Sequence, residues 1–181
     1  MNISKEIKNE TVYYTSLANL GVIHQMFHEF YEAEKAYSES IPYLNGGLKA
    51  IFLSNYGDLN RKIGKFNKSI TALEESIFIS KKSRNLHNLR IAFLNLGSTY
   101  LSMEDDIKAE TYFIESLIIA IRINDKLGEA RSLVNIGIAR YNLGKADSIS
   151  KIIEGYEIFC EILGLGHEDT ISIKKLIDQL R

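Results

Sequence analysis

The 181-residue sequence has one cysteine, one proline and no tryptophan. A lone Cys160 excludes an internal disulfide and fits a reducing compartment. With proline only at position 42, the composition gives no basis for long linkers or disordered tails. No run of about eighteen apolar residues occurs, so no membrane-spanning helix is expected. The opening Met1-Asn2-Ile3-Ser4-Lys5-Glu6 lacks a signal-peptide core. A formal net charge of −1 offers no general attraction to nucleic acid or acidic membranes. The expectation is a cytoplasmic protein of one domain, or a piece of one, since 45% hydrophobic and 25% charged residues suffice for a globular core.

What the sequence does have is an internal repeat. Asn19-Leu20-Gly21, Asn55-Tyr56-Gly57, Asn95-Leu96-Gly97 and Asn135-Ile136-Gly137 recur with their glycines 36, 40 and 40 residues apart. A period of that size is the mark of a stacked repeat protein. Twelve residues after each glycine stand Ala33, Ser69, Ala109 and Ile149, and sixteen after stand Tyr37, Leu73, Phe113 and Ile153. Ser40, Ser76 and Ser116 follow three further on, each behind a glutamate, and the fourth unit breaks this with Gly155-Tyr156. Small residues at fixed places with large apolar ones between suit pairs of close-packed antiparallel helices. Glycine inside a helix costs about 1 kcal/mol against alanine, so four in phase imply a packing reason.

These residues resemble the tetratricopeptide repeat (TPR), in its form with about 40 residues per unit. Leu17, Leu53, Phe93 and Leu133 stand where that family often has tryptophan, and the proline that often ends its second helix is missing. The resemblance implies an all-α fold, a right-handed TPR-like α-solenoid of stacked helix-turn-helix repeats with a C-terminal capping helix. Residues 1–8 are expected to close a preceding second helix, because Ile3-Ser4-Lys5-Glu6 matches Ile79-Ser80-Lys81-Lys82 in phase. Either a cut from a longer array or a native start with a degenerate first helix explains this, and the cut is favoured. Repeats are expected over about 9–45, 46–85, 86–125 and 126–163, the first shortened by Pro42, with turns at Gly64, at Glu104-Asp105-Asp106 without glycine, and at Gly144. A capping helix over 168–181 carries Ile173, Leu176, Ile177 and Leu180 on one side, with Thr170 or Asp169 as N-cap.

The resemblance also places an inner surface on each first helix. Its positions are Thr15, Ala18, Asn19, Val22 and Gln25 in unit one, and Ile51, Ser54, Asn55, Asp58 and Arg61 in unit two. Unit three supplies Ile91, Leu94, Asn95, Ser98 and Leu101, and unit four Arg131, Val134, Asn135, Ile138 and Tyr141. Only the asparagine is a polar residue constant across all four. Its amide can donate to a peptide C=O and accept from an N–H, which suits gripping a backbone; the alternative is that each amide bonds a neighbouring helix. Spindle-orientation adaptors, kinesin light chains and bacterial peptide-sensing regulators of this class have similar asparagine ladders. Ala18 and Val22 stand where carboxylate-clamping relatives have lysine and asparagine, which speaks against that mode. Arg61 and Arg131 are left as partners for an acidic group.

His24, His28 and Glu29 share a helix, but Gln25 follows His24 where the zinc-protease motif needs glutamate, and turn or core roles fit better. Cys160, among Ile158, Phe159 and Ile162, reads as a buried hydrophobe. No metal, cofactor or catalytic set is assigned. The expected function is a scaffold or adaptor binding a protein or peptide segment in its groove. The alternatives are the peptide-sensing part of a larger bacterial regulator, and the regulatory part of an enzyme whose catalytic region lies elsewhere. An unpaired N-terminal edge leaves room for self-association.

Overall fold

Each glycine-phased unit folds as two antiparallel helices. The computed structural model describes the backbone of residues 3–180 and the side chains of 9–180. Among the described residues there are nine α-helices and one short 3-10 turn, with no strand. They are α1 (Ile3–Met26), α2 (Phe30–Ser40), α3 (Gly46–Lys62), α4 (Phe66–Ser83), α5 (Leu86–Ser102), α6 (Asp106–Arg122), α7 (Lys126–Asn142), α8 (Ser148–Leu163) and α9 (Glu168–Leu180). The chain divides into two compact units, 1–88 and 89–181, the boundary falling in the first turn of α5.

In the first unit, α1 pairs with α2 and α3 with α4 around Ala18, Ala33, Tyr37, Leu53, Leu59 and Ala72. Pro42 ends α2: after Ser40 the chain tightens into the 3-10 turn Ile41–Tyr43, since proline has no N–H to continue the ladder. A second buried set is polar. Ser76 donates to the Ala50 carbonyl at 2.7 Å, and Asn88 donates to Ser76 and Ser80 at 3.1 and 2.7 Å. The period-setting serines are therefore small buried groups with bonded hydroxyls: Ser40 donates to Ala36 O on its own helix, Ser76 to Ala50 O on α3, and Ser116 pairs with Ser132 on α7.

In the second unit, α7, α8 and α9 share a core of Ala130, Val134, Ile152, Phe159 and Ile177, and α6 packs on α7. The apolar side of α9 lies against this core through Ile173, Leu176, Ile177 and Leu180. Its start differs from expectation. Helix α9 begins at Glu168, and it is His167 Nδ1 that accepts from the Asp169 N–H at 3.2 Å, while Thr170 is buried. Cys160 is half-buried instead of buried.

The phase glycines are close approaches. A Cβ at Gly57 would meet Leu73 at 2.5 Å, and one at Gly97 would meet Phe113 at 2.6 Å. At Gly137 the neighbour is Ile152, at 2.4 Å, with Ser148 O at 2.7 Å. The fourth unit thus packs one residue earlier than the repeat spacing predicts: Ser148 and Ile152 take the places read as Ile149 and Ile153. The entry to α8 explains the shift. The Ser148 N–H bonds the Lys145 carbonyl at 3.3 Å, a three-residue turn where the other units have a four-residue one.

Residues 3–8 also differ from expectation. Helix α1 is continuous from Ile3 to Met26, so these residues extend the first helix instead of closing an earlier one. No glycine or proline stands before Gly21 to break it. The apolar stripe expected of Ile3 and Ile7 lies outside the described side chains.

Candidate peptide-binding surface

The hairpin turns hold each first helix in place by the same device. His28, Gly64, Glu104 and Gly144 all take left-handed backbone, with φ of 61°, 75°, 60° and 69°. Behind each, two amides return to the helix end, as Lys65 N–H does to Asn60 O at 2.8 Å and Gly64 N–H to Arg61 O at 3.0 Å. Because the motif is made by backbone, Glu104 and His28 can occupy a place that glycine fills elsewhere. His28 is thereby a turn residue, and His24 Nδ1 pairs with Glu29 at 2.5 Å.

In the first unit the predicted surface residues divide. Ala18 and Ser54 are buried, the first in the core and the second against Ser76 at 2.8 Å. Asn19 is exposed and Asn55 half-buried, and among the described residues neither amide has a hydrogen-bond partner. Gln25 and Arg61 are brought together through Asp58. Gln25 Nε2 donates to Asp58 Oδ2 at 3.0 Å, and Arg61 donates to Oδ1 at 2.8 Å. Lys62 adds a third contact at 2.9 Å, and the Tyr37 hydroxyl donates to Gln25 Oε1 at 3.2 Å. Burial, then the Asp58 charge, push the Tyr37 phenol far up, so it stays a donor. Arg61 is consequently no free cation; its charge is already met by Asp58.

In the second unit Ile91, Leu94 and Leu101 on α5, and Ile138 on α7, are half-buried, while Tyr141 is exposed. Val134 is a core residue, only 8% exposed, and packs on Gly155. Arg131, Val134 and Asn135 line one pocket of about 230 Å³, closed by Phe159 and by Asp169, Ser172 and Ile173. Arg131 reaches Asp169 at 3.7 Å across exposed surface. Asn135 Nδ2 donates to the Arg131 carbonyl at 2.9 Å, a bond within its own helix. Asn95 is half-buried and has a partner of its own.

Reading positions along one helix misses two of these residues as partners: Asp58, which ties Gln25 to Arg61, and Asp169, which faces Arg131. The available signal was an acid lying one helical turn before Arg61 on α3. Among the described residues no cluster of three or more metal-ligating side chains forms, and no helix is long and apolar enough to cross a membrane.

The fold has relatives among solved structures. The apo form of RapI aligns over 94% of this chain and 48% of its own, at 17% identity and TM-score 0.75. A Rap protein complexed with Competence and Sporulation Factor does so over the same shares, at 17% identity and TM-score 0.80. The chain thus spans about half the length of these proteins. A Podosopora anserina kinesin light chain with nearly identical TPR-like repeats aligns over 91% of this chain and 83% of its own, at 13% identity and TM-score 0.72. At these identities the likeness shows the fold, a TPR-like α-solenoid. No curated protein matches the sequence. The family model described as Anaphase-promoting complex subunit 5, a TPR-like family, matches residues 2–43, 50–96 and 60–128, together more than half of the chain. With its phased glycines, its helix pairs and that match, the chain belongs to the TPR-like repeat family which the Anaphase-promoting complex subunit 5 model describes.

Proposed function

We propose that the chain is a peptide-binding module in which first-helix asparagines hold the backbone of a polypeptide segment. The observation that carries this is the state of the ladder. Asn19 and Asn55 reach solvent with no partner among the described residues, and Asn135 bonds only its own helix. A ladder whose purpose was to stack repeats would spend these amides on neighbouring helices. In the second unit, taken by itself, half-buried Ile91, Leu94, Leu101 and Ile138 beside Tyr141 offer apolar contacts for peptide side chains. The pocket at Arg131 and Asn135, with Asp169 in its wall, suits an uncharged carbonyl group.

A second reading is favoured by one comparison: the Rap protein complexed with Competence and Sporulation Factor shares this fold over half its length. In that reading the chain is the sensing part of a larger regulator, and its ligand is a short signalling peptide.

The test is a screen of immobilised short synthetic peptides, followed by Asn19→Ala and Asn55→Ala on the best binder. A hydrogen bond contributes about 0.5–1.5 kcal/mol net, so each change weakens binding roughly three- to tenfold. Alanine is the better helix former, so the melting temperature holds or rises. Lower melting temperatures with unchanged affinity would make the asparagines structural and remove the proposal.

A further inference from the structure

Among the described residues, nothing covers one apolar face of α1. Val12, Tyr13, Leu20, Ile23 and Met26 on α1, and Phe27 directly after it with its N–H still bonded to Ile23 O, are each 43–74% exposed. At 3.6 residues per turn they fall within one arc of about 140°. From Asn9 to Phe27 that arc contains no charged residue; its other members there are Asn9, Ser16 and Asn19. Ser16 brings no unmet polar group to it, because its hydroxyl donates to the Val12 carbonyl at 2.8 Å.

We propose that this face is a dimer interface, covered in solution by α1 of a second copy of this chain lying antiparallel to it. Two features select a second copy. The first is area. Six large side chains, each 43–74% exposed, present on the order of 700 Å² of apolar surface, taking about 150–250 Å² for a whole aromatic. That exceeds the largest patch of a typical monomer, about 300–600 Å², and approaches the roughly 800 Å² that each partner of a stable complex buries. The second is symmetry. Tyr13, Leu20 and Phe27 are seven residues apart, and Ser16 and Ile23 complete a three-four alternation, the spacing of a helix–helix seam. A two-fold axis through Leu20 sets Leu20 against Leu20 of the second copy, and Tyr13 against its Phe27. One sequence therefore supplies both sides of a self-complementary contact. Asn19 lies at the border of the arc, so pairing and peptide capture at Asn19 compete.

Sedimentation velocity on the full chain over a range of concentrations tests the proposal. The expected result is a reversible monomer–dimer equilibrium. Leu20→Asp with Phe27→Asp should shift it to the monomer mass, while Ile118→Asp, at an exposed apolar position on α6, leaves the dimer intact. In a Cys160→Ser background, Leu20→Cys should oxidise to a covalent dimer and Val12→Cys should not. Circular dichroism on the same variants separates lost pairing from lost folding, and Phe27→Ser repeats the test with a milder change. A wild type that stays monomeric at every concentration overturns the proposal. So does open-ended association, or equal cross-linking of the two cysteine variants.

Discussion

At the scale of single residues, close approach and backbone conformation set different demands. Gly97 has no room for a side chain, with the Phe113 ring 2.6 Å and the Ala109 carbonyl 3.2 Å from where a Cβ would sit. Gly97→Ala should therefore lower stability by about 1–3 kcal/mol, the usual cost of overpacking, read from thermal or urea unfolding. Gly47→Ala meets nothing within 4 Å inside α3 and should gain up to about 1 kcal/mol. Glu104 presents the reverse case, a side chain where left-handed backbone disfavours one. The left-handed penalty of about 1–2 kcal/mol outweighs the entropy that glycine loses on folding. Glu104→Gly should thus stabilise by about 0.5–1 kcal/mol. Glu110 shows how residue chemistry becomes pH dependence. It meets Lys145 at 2.5 Å and Arg140 at 2.7 Å. Burial pushes its carboxyl up, but the hydrogen bonds from Lys145 and Arg140 prevail and hold it below the usual 4.5. Hydrogen bonds from Lys65 and Lys68 lower Glu34 likewise. A carboxylate depressed on folding stabilises above its unfolded value, and the gain is lost as pH falls through the folded one. Unfolding midpoints should therefore fall as pH drops below about 4.5, and less steeply in Glu110→Gln.

At the scale of helices, the sequence was informative wherever the signal repeats. The in-phase glycines, the buried serines and the arrest at Pro42 all read directly as helix pairs, because each recurs or acts locally. The left-handed turn at Glu104 was legible only as a position, since its conformation is imposed by backbone hydrogen bonds and not by residue type. Two features were not legible at all. The contact of Gln25 with Asp58 spans 33 residues and needs two helices in register, which no single-helix pattern encodes. The earlier packing of α8 follows from one tightened turn at Lys145, with no insertion or deletion to mark it. The asparagine ladder was visible as a pattern, but only the fold distinguishes Asn19 and Asn55, which have no partner among the described residues, from Asn135, which bonds within its helix. Of the α1 face only an unpaired N-terminal edge was legible; that Val12, Tyr13, Met26 and Phe27 stand open depends on what packs against α1, which no single-helix pattern gives.

At the scale of the whole molecule, a repeat protein is a sum of units and nearest-neighbour contacts, so perturbation should stay near its origin. Gly57→Ala, which drives a Cβ into Leu73, should speed amide exchange in α3 and α4 more than in α7 and α8. Uniform acceleration along the chain would show that the molecule opens as one body. The tightened turn before α8 carries a different consequence, for ancestry by duplication. Units two and three keep a common frame, so recombination could exchange their second helices as cassettes. Unit four has left that frame. A cassette from α6, joined at the matching alignment position, would bring Ala109 and Phe113 to Gly137 one place out of step, turning the large residue away from the gap it should fill. Such chimeras should misfold where two-for-three exchanges do not. The fourth unit is then free to diverge by point mutation but closed to repair by copying from its siblings.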